Sequence, residues 1–129
     1  MSYTPEIFKS PFGHAAYTLI RKKKHLKKLG IDKKLVTHSG AGAATNFITD
    51  EHGNNLIIVY MPHCDVDMNQ QHGLIVHESV HVWQEIKSLM NEKEPSAEFE
   101  AYSIQVIAQQ LLHLLELSNH GMEKSTDEL

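Results

Sequence analysis

The chain has 129 residues, about the size of one domain and too short for two full cores, so 1–129 is expected to fold as a single unit. Its 41% apolar and 22% charged content is ordinary for a soluble globular protein. The net charge of −4 is unevenly spread, with eight of the twelve basic residues between Arg21 and Lys34 and most acids after Asp50.

No run approaches the roughly 18 apolar residues needed to span a bilayer, so a membrane is not an expected partner. The first residues, Met1 to Glu6, lack the basic start and apolar core of a signal peptide. A single cysteine, Cys64, cannot make an internal disulfide. A cytoplasmic location is the expectation.

In chain order, residues 10–29 read as a helix stopped by Gly30, with lysines in its last turns where they suit the dipole. Ser39 to Ala44 is a loop of small residues. Thr45–Thr49 and Leu56–Met61 are rich in β-branched and aromatic residues, and they flank a polar, glycine-containing turn. That is the pattern of a β-hairpin, with residues 35–37 a possible third strand. Pro62 ends the second strand. Asp67 or Asn69 caps a long helix running to about Met90. Residues 91–95 break it, and Ser96 opens a second long helix to about Leu117, leaving 118–129 as a polar, fraying tail. Helix, small antiparallel sheet, helix, helix is an α+β order.

The chemistry concentrates at His77-Glu78-Ser79-Val80-His81. Four residues is slightly more than one helical turn, so both imidazoles leave the same face and can converge on one ion. Neutral imidazole is a good zinc ligand, and two leave positions for a third protein ligand and a water. In an H-E-x-x-H helix, the offset of Glu78 aims its carboxylate at that water as the general base. Zn2+ is therefore the expected cofactor, and the surrounding stretch from Gly73 to Trp83 is otherwise apolar. A partly buried His-Glu-His set without an ion would leave polar groups unpaired.

A carboxylate on the following helix is the expected third ligand. Glu98, Tyr102, Gln105 and Gln109 form one polar stripe at 4-3-4 spacing, whereas Glu100 shares its stripe with apolar residues. Glu98 is preferred, with Glu100 the alternative. Both also fit the bland role of acidic residues favoured in a helix's first turn. Tyr102 is either an oxyanion donor or an amphipathic tyrosine with its hydroxyl at the cleft.

On His77-Glu78-x-x-His81 and the downstream Glu98-Phe99-Glu100-Ala101, the chain resembles the zincin metallopeptidases with a glutamate third ligand, the gluzincins. It is also similar to small zincin-like proteins of phage and prophage. CAAX-type proteases and related families carry Glu-x-x-Ala-Asp there, the first glutamate being the ligand, which again selects Glu98. Tyr102 stands where those families have aspartate. The resemblance covers roughly residues 45–117. It implies a minimal zincin-like domain, a peptide or protein substrate, and an edge strand above the active-site helix, for which Leu56–Met61 is the candidate. Gln84 and Lys87 stand where metzincins carry glycine and a third histidine.

His63, Cys64, Asp65 and Asp67 read as a polar loop with a helix cap more readily than as a second metal site. The basic run Arg21 to Lys28 lacks interleaved aromatics and reads as a solvated helix face, so a nucleic-acid partner is not expected. Trp83 is expected in the core. The competing reading is a non-catalytic, zinc-stabilised binding module that contacts nucleic acid or an acidic partner through residues 21–34. Three ligands and a base favour catalysis over a closed four-ligand structural site. Hydrolysis of a non-peptide amide would use the same residues.

Overall fold

The computed structural model describes residues 3–38 and 42–127, with side chains to residue 121. Strands β1 (Phe8–Lys9), β2 (Ala16–Ile20), β3 (Ala44–Thr49) and β4 (Asn55–Tyr60) form one mixed sheet in the order β1-β2-β4-β3. A short helix α1 (His25–Leu29) follows β2, and two long helices, α2 (Met68–Leu89) and α3 (Ala97–Asp127), follow the sheet. The fold is a small α+β fold, but its sheet is mixed rather than the antiparallel one expected, because β2 joins the β3–β4 hairpin in parallel with β4. Among the described residues, no helix is long and apolar enough to cross a membrane.

Strand β4 explains the architecture. It pairs in parallel with β2 and antiparallel with β3, so both its edges are used. Both its faces are covered as well. Ile57 and Val59 pack with Ile75, Val82, Trp83 and Ile86 of α2 and Ile107, Leu111 and Leu114 of α3. Ile58 packs on the opposite face with Ile20, Leu26 and Val36. A strand buried on two faces needs a continuous apolar run rather than alternation, and Leu56-Ile57-Ile58-Val59-Tyr60 supplies it.

The helix expected over residues 10–29 is not formed as such. Its first half is a 3-10 turn (Pro11–Gly13) and strand β2, and only His25–Leu29 is helical. Tyr17 and Leu19 join the large core while Ile20 joins the smaller one, and β4 supplies the backbone partners. Tertiary pairing thus overrides a loosely periodic pattern. The stop at Gly30 holds, at φ 70°, where glycine has no steric cost.

Residues 35–37 add no strand. Lys33–Leu35 is a 3-10 turn, and Thr37 hydrogen-bonds the side chain of Asn46 rather than a strand backbone. The basic segment is not one solvated face either, because Arg21 and His25 are buried. The Arg21 guanidinium donates to the Met61 carbonyl at 2.6 Å and to Ser118 and Asn119 at 2.8 Å each, tying the sheet to α3. Residues 39–41 of the small-residue loop lie outside the described residues.

The hairpin and both long helices stand where the sequence puts them. Asp67 caps α2 by accepting from the Gln70 amide at 2.8 Å, and Ser96 accepts from the Phe99 amide at 3.2 Å. Helix α3 runs beyond Leu117 through Asp127, so the backbone of the tail expected to fray is helical that far.

Candidate metal centre

Helix α2 lies across the sheet with Ile75, Ser79, Val82 and Ile86 turned inward. This fixes the rest of the helix. Glu78, one position from that face, is buried beside the sheet, and its Oε1 accepts a hydrogen bond from Thr45 Oγ1 of β3 at 2.9 Å. His77 and His81, further round, are exposed. Leu74 packs against Gly42, where a Cβ would stand 2.8 Å from the leucine Cδ1, so the chain entering β3 runs close along α2.

The two imidazoles converge. Their Nε2 atoms are 3.2 Å apart, and Glu78 Oε2 is 3.7 Å from His77 Nε2. Two nitrogen ligands on a tetrahedral zinc, each 2.0–2.1 Å from the ion, stand about 3.3 Å apart. The second nitrogen of His81, Nδ1, is 3.0 Å from Gln84 Oε1. A proton on Nδ1 shared with that oxygen leaves the Nε2 lone pair free, the tautomer a metal ligand requires. Among the described residues, this is the single group of three or more His, Cys, Asp or Glu donors whose ligand atoms lie within 4.8 Å of one another. The donor set is one that could hold a metal ion.

Glu98 is not brought to this group. It is exposed in the first turn of α3. Glu100 is engaged elsewhere, accepting from Trp83 Nε1 at 2.9 Å and facing Lys87 Nζ at 3.5 Å. These contacts give the physical reason. At about 100° per residue, Trp83 and Lys87 lie about 200° and 240° round α2 from His81, so α3 packs on a face the histidines do not share. Tyr102 is on the α3 side too, lining a cavity of about 410 Å³ with Trp83, Phe99 and Val106; neither histidine lines that cavity. Trp83 is buried, as its sequence context implies, although it supports α3 rather than the metal pair.

The edge strand is likewise not the one expected. Leu56 to Tyr60 belongs to the interior strand β4, and among the described residues the open edge beside α2 is β3. An isolated hairpin gives no hint of which strand another element will cover, and here β2 takes the outer edge of β4. Thr45 was therefore missed. Gln84 had a signal in its spacing, three residues after His81 on the same helix.

In the loop before α2, Asp67 is the cap, and Cys64 is exposed. His63 is held down to about 4, first by burial and then by the charges of Arg21 and Lys22. No family model matches the chain, and neither a curated protein nor a solved structure matches it.

Proposed function

We propose that the chain is a zinc-dependent hydrolase, most simply a peptidase of zincin type, with His77 and His81 as ligands and Glu78 as general base. The observation that carries this reading is the convergence of two Nε2 atoms and one buried carboxylate beside an open strand edge.

Each residue has a task. Gln84 orients His81, and Thr45 holds Oε1 of Glu78 so that Oε2 faces the histidine pair. When bound, zinc acidifies a water and polarises a carbonyl. Glu78 Oε2 takes the water's proton and returns it to the leaving amine. The free edge of β3 pairs with an extended peptide by strand addition and lays the scissile bond along α2. The glutamate ligand of the gluzincins is not supplied by Glu98 where it stands.

The basic segment takes no part. Lys23, Lys24 and Lys27 are exposed around α1, on the face of the sheet opposite α2. That separation supports hydrolysis over the alternative, a zinc-stabilised module binding an acidic partner.

The test is elemental analysis after incubation with zinc and desalting, comparing the wild type with His77→Ala/His81→Ala. The zinc lost with that pair should carry peptide-hydrolysing activity in a library screen. Equal zinc in both proteins would leave α2 with two surface histidines and shift the weight to the binding module.

A further inference from the structure

The far end of the α2–α3 pair carries a second concentration of metal-binding side chains. Gln109, His113, Glu116 and His120 recur at 4-3-4 spacing, which places them on one stripe of α3. They line a cavity of about 660 Å³ between the helices, and His72 enters the same cavity from α2. Its remaining walls include Met68, Leu112 and Leu115. Three of the chain's ten histidines thus meet in one groove.

The two helices are pinned at this level. Asn119 Nδ2 donates to Gln71 Oε1 at 3.1 Å, and the next residues in sequence are His120 and His72. On α3, His120 Nε2 is already 3.8 Å from Glu116 Oε1. His72, His113, Glu116 and His120 are all exposed. The four ligand atoms do not converge in this structure, so an ion would draw these exposed side chains together.

We propose that this groove is a second divalent-metal site, taking a zinc-class ion on His72 from α2 and His113, Glu116 and His120 from α3. Three imidazoles and one carboxylate are a donor set that zinc favours, and four protein ligands describe a closed, structural site. An ion there clasps α2 to α3 at the end opposite their connecting turn. The proposal does not rest on hydrolytic function at His77 and His81.

The test is a zinc titration against a chromophoric chelator, together with thermal melting. The wild type should take two zinc ions per chain. His77→Ala/His81→Ala should keep one, and zinc should still raise its melting midpoint. His113→Ala/His120→Ala should also keep one, and combining all four substitutions should abolish binding. The same melting midpoint without metal in each variant shows that the exposed substitutions leave the fold intact. His72→Ala, added to the His77/His81 variant, should weaken the remaining ion at least tenfold and remove the rise in melting midpoint. No zinc uptake by His77→Ala/His81→Ala, or unchanged uptake in that background after His113→Ala/His120→Ala, would overturn the proposal.

Discussion

Thr45 Oγ1 donates to Glu78 Oε1 at 2.9 Å, joining the edge strand to the buried carboxylate between the two histidines. This one bond sets the direction of a side chain that the helix alone leaves free to rotate. Thr45→Val removes the donor and leaves a buried carboxylate oxygen without its partner, a change of about 1–3 kcal/mol. Urea unfolding should detect that loss, and Thr45→Ser should recover most of it. If hydrolysis is measured, the valine variant should lose kcat with KM little changed.

Glu78→Gln separates two roles for the same carboxylate. As a general base, its loss should leave zinc content at the wild-type level while hydrolysis falls by about 10²–10⁴. Loss of zinc along with activity would make Glu78 a ligand and remove the base from the mechanism.

Gln84 has no place in the five-residue motif, yet its amide oxygen lies 3.0 Å from His81 Nδ1. Partners that orient a ligand histidine commonly contribute about 10- to 100-fold in metal affinity. Gln84→Ala should weaken zinc binding at His77 and His81 within that range in a chelator competition. An unchanged constant would show that the imidazole is oriented by helix geometry alone.

The two glutamates opening α3 should behave differently from one another. Glu98→Ala should leave zinc affinity unchanged, because the residue is exposed and α3 packs away from the histidines. Glu100→Ala should instead lower the melting midpoint, since Trp83 Nε1 loses its acceptor. A tenfold or greater loss of zinc affinity in the Glu98 variant would bring the first turn of α3 to the ion.

His25 gives the fold an acid-sensitive element remote from the metal centre. Burial first, then the neighbouring Lys28, Lys22, Lys24 and His63, hold it down to about 4. In the neutral ring, Nδ1 accepts from the amides of Arg21 and Lys22, each at 3.2 Å. The unfolded chain binds this proton at about 6.5, so the unfolded state carries more protons between the two values. The stabilisation is therefore complete above about 6.5 and declines as pH falls towards about 4, with His63 adding to it over the same window. Denaturant midpoints measured from pH 7.5 to 4 should fall accordingly. His25→Asn, which has no titrating proton, should flatten part of that decline.

The local patterns that proved legible are those that need no distant partner. His77 and His81 share a face because 3.6 residues make a turn, whatever the helix packs against. Asp67 and Ser96 are caps because their oxygens reach their own helix's amides. The hairpin of β3 and β4 follows from two β-prone runs around a turn containing Gly53. Residues 16–20 misled because nothing within ten residues distinguishes a buried strand from a loosely amphipathic helix. The difference lies in β4, some forty positions away.

By itself, then, the sequence determined that His77 and His81 share a face, the position of Glu78 beside them, and the two long helices, since each depends on spacing along a single element; of the sheet it determined only the β3–β4 hairpin within an α+β class. Tertiary structure decided which strand edge stays open, which hydroxyl holds Glu78, and whether the second helix delivers a carboxylate. Those outcomes depend on how elements rotate about one another. Ile75, Ser79, Val82 and Ile86 turn α2 onto the sheet, while Trp83 and Lys87 hold α3 on another side. The Glu98 stripe is correct as a helical stripe, but the face of α2 that α3 covers is not the one that carries the histidines.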